Sequence, residues 1–279
     1  MKTSNPVLAR LGQAAERERA AGYAQPGPYG QPGYPQQYQP YPQQQYPGGH
    51  GYPAAPPTVT PMTLDDVVVK TVLMLGILGA SAAAAWVLVP DALTGVAWIG
   101  AAVVGLVLGL IISFSRMANP ALVVAYSIVE GVFVGMVSKT FNTFYDGIVL
   151  QAVVATFGVF FLMAMIYKAR IIRATPKFAR IMVAVIAGLF GVMLINLVLA
   201  LFGVNTHLRD GSPLAIGFSL VCIVVAALSF VLNFAEIEEG VRMGLPQRYS
   251  WTAAFGIVVG LVWLYLEILR LLSYFQGDD

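Results

Sequence analysis

Beyond residue 61 the chain alternates seven long apolar runs with short polar connections. Each run approaches the roughly 20 residues that an α-helix needs to cross about 30 Å of hydrocarbon. The pattern predicts spanning helices near Val67–Val89, Val96–Phe114, Pro120–Ser138, Gly147–Tyr167, Ile181–Phe202, Leu214–Phe234 and Ala253–Phe275. Thr63-Leu-Asp-Asp66 predicts the start of the first, with Thr63 as a cap and Asp65 and Asp66 complementing the positive helix end. The last run departs from the rest because it carries Glu267 and, at the i+3 position, Arg270. Charged groups near a helix centre cost roughly 2.5–3.5 kcal/mol each on insertion scales, so both are expected to face protein or water.

The segment before these runs has a different character. Residues 1–22 predict a short helix from about Pro6 to Ala21, and from Tyr23 to Pro61 the composition turns to Pro, Gln, Tyr and Gly. Prolines at that density remove backbone donors, and few aliphatic side chains remain to bury. A disordered, partly polyproline-II tail is expected, either as a plain flexible extension or as a docking segment for a protein partner. The organisation is thus a tail over residues 1–61 and a transmembrane domain over 62–279. The tail holds no apolar core of the signal-peptide kind, so no cleavage is expected.

Composition narrows the class further. Of 279 residues 58% are hydrophobic and only 11% charged, with mean hydropathy +0.73; the charged share of a soluble domain is about a quarter. An integral membrane protein in contact with the lipid bilayer follows. The net charge of +2 does not suggest a nucleic-acid surface. Cys222 is the single cysteine and sits in an apolar run, which excludes an intrachain disulfide and a cysteine-based metal site. His50 and His207 lie in polar surroundings far apart in sequence and read as solvated loop residues. No metalloprotease, nucleophile-elbow or phosphate-loop motif is present, so no enzymatic role and no tightly bound cofactor is expected.

Basic residues prefer the cytoplasmic side of short connections. Arg10, Arg17, Arg19 and Lys70, Arg116, the group Lys168, Arg170, Arg173, Lys177 and Arg180, and Arg242 with Arg248 all fall on one side; Lys139 and Arg209 fall on the other. This predicts a multi-pass protein of the cell membrane with a cytoplasmic amino terminus and an external carboxy terminus. Close helix packing is expected at Gly105/Gly109, Gly131/Gly135 and Gly256/Gly260, where a small-xxx-small spacing lets backbones approach.

Polar groups at membrane depth are the candidate chemistry. Glu130 lies near the middle of the third run, Asn196 in the fifth, Asn233 toward the end of the sixth, and Glu236, Glu238 and Glu239 follow it. One account makes Glu267 and Arg270 a buried pair, Glu130 a protonated hydrogen-bond donor between helices, Asn196 an interhelical hydrogen-bonding residue, and the acidic cluster a solvated helix end. The other makes the carboxylates line a cation or proton path, with the cluster as a mouth that concentrates cations, since hard cations such as Ca²⁺ prefer carboxylate and carbonyl oxygens.

Leu264-Tyr-Leu-Glu267, Leu269-Arg-Leu-Leu272 and the preceding Asn233-Phe-Ala-Glu-Ile237 resemble the last two spans of the Bax inhibitor 1 family. The resemblance extends over Leu64–Phe275 and includes Tyr126-Ser-Ile-Val-Glu-Gly131 and Tyr145-Asp-Gly-Ile-Val-Leu-Gln151 of the bacterial branch, leaving the tail outside. It implies a seven-helix bundle with a central seventh helix and a pH-sensitive calcium leak, calcium being the permeant ion. In that family an acidic pair comes from the sixth and seventh helices, and an arginine after the second helix acts as a latch. Glu267 matches the seventh-helix acid and is a possible calcium ligand, Arg116 is the match for the latch, and Asn233 stands where the sixth-helix acid belongs. An amide does not titrate near neutrality, so either the shared-proton latch is lost or Glu236 or Glu130 substitutes. Other members resemble non-conducting regulators of membrane proteases or stress proteins, which is the alternative function.

Overall fold

The computed structural model describes residues 60–277 apart from Arg116, Asn205, His207 and Arg209. The helix expected near Pro6–Ala21, the Pro/Gln/Tyr tail, His50, His207, Arg116 and the terminal Asp278 and Asp279 lie outside the described residues. Among the described residues seven helices are long and apolar enough to cross a membrane. They are α1 (Leu64–Leu88), α2 (Thr94–Phe114), α3 (Pro120–Phe144), α4 (Ile148–Lys168), α5 (Pro176–Leu201), α6 (Pro213–Arg242) and α7 (Tyr249–Gln276), with a 3₁₀ turn at Asp91–Leu93 between the first two.

Local chemistry explains where these helices begin. Thr63 and Asp66 form a reciprocal capping box: the Asp66 amide donates to Thr63 Oγ1 at 3.1 Å, and the Thr63 amide donates to Asp66 Oδ2 at 3.0 Å. Three further helices open on a polar cap followed by proline, namely Asn119-Pro120, Thr175-Pro176 and Ser212-Pro213. The cap oxygen accepts an orphan N–H, and proline at the first helical position lacks only a donor that would be unused there. Gly147, at φ 77°, turns the chain sharply from α3 into α4.

The last helix occupies the middle. α7 packs against α6, α1, α4 and α3, and it buries residues on every side, from Ser250 through Val258, Leu264 and Leu269 to Ser273. A helix apolar all round belongs inside a bundle. The other six do not form a closed ring around it: α2 is seated on α3, and α5 on α6.

All three glycine pairs fall at helix contacts. A Cβ placed on Gly131 would lie 2.4 Å from the Leu78 carbonyl oxygen, and one on Gly135 would lie 2.5 Å from that of Ala82, so α1 and α3 touch backbone to backbone. A Cβ on Gly260 would press on the Phe230 ring at 3.0 Å, and one on Gly256 would stand 3.7 Å from Asn233 Oδ1. Gly109 lies under Tyr126. Without a hydrophobic effect between helices in lipid, such approach is what van der Waals packing requires.

At one end of the bundle the segment before α1 clasps the turn between α6 and α7. The Met62 amide donates to the Leu245 carbonyl at 2.7 Å, Pro61 and Pro246 form an isolated antiparallel bridge, and Gln247 Nε2 donates to Asp66 Oδ1 at 2.6 Å. Lys70 donates to the Gln247 carbonyl and to Ser250 Oγ, and lies over the Trp251 ring. At the opposite end Lys139 closes the carboxy terminus of α1, donating to the Val89 carbonyl at 2.9 Å and pairing with Asp91 at 2.7 Å.

Candidate functional site around Glu267

Glu267 is 2% exposed, nine residues before the end of α7. Arg270 Nη1 donates to Glu267 Oε1 at 2.9 Å, the i,i+3 pairing that the spacing predicts. Glu267 Oε2 is buried and has no hydrogen-bond partner among the described residues. One carboxylate oxygen is thus held by a guanidinium, and the other meets no donor among the described residues. Burying a carboxylate is costly unless it is paired and hydrogen-bonded, and Arg270 supplies that pairing at one oxygen.

The other candidate residues that are described do not gather around it. Asn233 Nδ2 donates weakly to the Gly256 carbonyl at 3.4 Å, which sets it eleven residues before Glu267 along α7. At 1.5 Å per residue that is about 16 Å of helix axis. The antiparallel register, fixed by Phe230 against Gly260 and Asn233 against Gly256, brings the level of Cys222 rather than Asn233 to Glu267. Glu236, one turn beyond Asn233, is exposed and lies toward the same end of the molecule as the α6–α7 turn.

Glu130 belongs to a different seam. Its carboxylate oxygen would lie 2.8 Å from a Cβ on Gly105, so it is wedged between α3 and α2. With Tyr126 against Phe255 and Ser138 against Tyr265, α3 runs parallel to α7, and Glu130 stands about 13 Å short of Glu267 along the axis. The acidic end of α6 is locally partnered, Glu238 by the Tyr167 hydroxyl at 2.5 Å and Glu239 by Arg242 at 2.5 Å. Asn196, expected to bridge helices, instead donates to Thr206 in the connection that follows its own helix. Arg116 lies outside the described residues, although nearby Ala118 docks its amide on Thr252 Oγ1 at 3.2 Å.

Among the described residues no three His, Cys, Asp or Glu side chains converge to hold a metal ion. The register of α6 against α7 sets Ser219 near the level of Arg270; it is 1% exposed, and its hydroxyl has no hydrogen-bond partner among the described residues. Tyr265 and Ser138 hydroxyls bond to each other at 2.7 Å across α7 and α3. Sequence reasoning missed both serines. Ser219 was findable, because it repeats the heptad stripe of Cys222, Ala226, Phe230 and Asn233 on α6.

A family model described as Bax inhibitor 1 like matches residues 5–277. The chain belongs to the Bax inhibitor 1 like family. The match runs well beyond the expected Leu64–Phe275 and takes in the amino-terminal segment that the resemblance was expected to leave out. No curated protein matches the sequence. Membership makes this chain a multi-pass membrane protein of the family, and within it Glu267 of the Leu264-Tyr-Leu-Glu267 motif is the most buried carboxylate described.

Proposed function

We propose that this family member is a pH-responsive cation leak with calcium as a permeant ion, in which Glu267 controls passage. One observation carries the reading: Glu267 is buried at membrane depth with one oxygen on Arg270 and the other without a partner among the described residues. Intramembrane carboxylates of this kind mark ion or proton paths. The chemistry is a competition for one group. A proton, the Arg270 guanidinium and a passing hard cation all seek the same carboxylate, so displacing Arg270 or protonating Glu267 changes what the seam can hold. A single carboxylate suits transit better than residence, because tight calcium sites assemble six to eight oxygens. The cell membrane is the proposed location, with the amino terminus cytoplasmic and the carboxy terminus external.

Reconstitution in calcium-dye-loaded liposomes tests this directly. The expected result is a calcium flux that varies with pH around neutrality and is flattened by Glu267→Gln. Folded protein with no flux at any pH sinks the reading and leaves the non-conducting regulator.

A further inference from the structure

On the bilayer-facing side of the bundle α1 and α4 both lean on α7, and between them runs a groove of about 480 Å³. Ala83 and Trp86 of α1 form one wall, Val153 and Phe157 of α4 the other, and Ser138 and Tyr265 the floor. The hydroxyl groups along it are already satisfied within the protein. Tyr265 and Ser138 bond to each other, Ser138 donates also to the Val134 carbonyl at 2.6 Å, and Thr156 donates to the Ala152 carbonyl at 2.7 Å. Water needs two to four polar partners to reside in a cavity, and this one offers almost none.

The mouth of the groove is continuous with the lipid-facing surface of the spans, since Val87 and Phe157 on its rim and Val154 and Phe161 beside it are exposed apolar residues on membrane-crossing helices. A dry apolar cavity of about 150 Å³ takes one benzene, so this one has room for roughly three times that carbon, the scale of one hydrocarbon chain. A second helix is about 10–12 Å across and does not fit in that space. We propose that the groove is a lipid site: it takes one acyl chain of a bilayer lipid, laid against α7 over the Ser138–Tyr265 pair. The chain then rests on α7 two residues from Glu267, which makes the groove a place where lipid composition bears on the central helix.

The test uses the full chain purified in mild detergent, with retained phospholipid extracted and quantified by mass spectrometry. Gly79 lines the groove, and a Cβ there meets nothing within 4 Å, so Gly79→Leu fills the groove without pressing on backbone. Gly100 on α2 is equally open and outside the groove, so Gly100→Leu is the control. Wild type and Gly100→Leu are expected to retain lipid, and Gly79→Leu to lose about tenfold of it with an unchanged melting temperature. If Gly79→Leu does not fold, Ala83→Leu on the same wall replaces it. Wild type without retained lipid, equal retention in Gly79→Leu and Gly100→Leu, or a wild-type dimer that Gly79→Leu converts to monomer with no loss of lipid would each overturn the proposal.

Discussion

Arg270 reaches only one oxygen of Glu267, at 2.9 Å, and the second is buried with no partner among the described residues. Removing either partner therefore has unequal consequences. Arg270→Leu strands the carboxylate in a low-dielectric interior, and losing one member of a buried pair typically costs about 3–5 kcal/mol. Glu267→Gln keeps an acceptor for Arg270 and removes the negative charge, so its cost is smaller. Adding Glu267→Gln to Arg270→Leu should recover most of the stability. Thermal or denaturant unfolding in detergent checks the cycle, and additive losses would mean that the two side chains are not energetically coupled.

Gly135 and Ala82 set a second expectation. A Cβ at Gly135 would approach the Ala82 carbonyl oxygen to 2.5 Å, and neither atom belongs to a flexible side chain. Gly135→Ala should force α1 and α3 apart and lower stability by about 1–3 kcal/mol, in the range of overpacked cores. Gly79→Ala, on the same α1 but facing open space, should be neutral or slightly stabilising, because alanine is favoured over glycine by roughly 0.5–1 kcal/mol inside a helix. The comparison of the two melting temperatures separates close packing from helix propensity.

The spans were legible because a bilayer demands about 20 apolar residues and the chain supplies seven such runs. Their ends were less so. α3 continues past Ser138 to Phe144 and α6 past Phe234 to Arg242, since polar residues extend a helix beyond the hydrocarbon without interrupting its backbone bonds. α5 begins at Pro176 rather than Ile181, where Thr175-Pro176 supplies a cap that hydropathy does not register. The Glu267–Arg270 pair follows from i,i+3 spacing alone. The depth of Asn233 was not legible because motif order says nothing about depth. The short turn Met243–Arg248 could have corrected this: counting back from an antiparallel hairpin puts Asn233 opposite Gly256. Glu130 against Gly105 was not legible, since no spacing within α3 reveals that α2 covers that face.

That depth difference makes Asn233 a sharp test of the site. Asn233→Asp restores the sixth-helix acid that the family pattern expects, yet it lies about 16 Å from Glu267 along α7. Two carboxylates that far apart do not share a proton. Calcium flux against pH in liposomes should therefore show no second, coupled step in Asn233→Asp, and Glu267→Gln should flatten the profile in either background. A two-step profile created by Asn233→Asp and abolished by Glu267→Gln would show that the two positions meet in the conducting state.

The clasp at Asp66 and Gln247 bears on how the central helix is held. Asp66 does two jobs, capping α1 through Thr63 and accepting from Gln247 Nε2 at 2.6 Å, while Lys70 holds the Gln247 carbonyl and Ser250 from the next turn of α1. Gln247→Ala removes the long-range contact and spares the cap, so it should loosen the turn Met243–Arg248 without fraying α1. Asp66→Ala removes both and should cost more, because the Thr63 amide then loses its capping-box acceptor. Amide hydrogen exchange distinguishes them: Gln247→Ala should raise exchange in the turn alone, and Asp66→Ala in the turn and in the first turn of α1. Equal protection of the turn in wild type and both variants would show that the Met62 to Leu245 bond and the Pro61–Pro246 bridge hold it without these side chains.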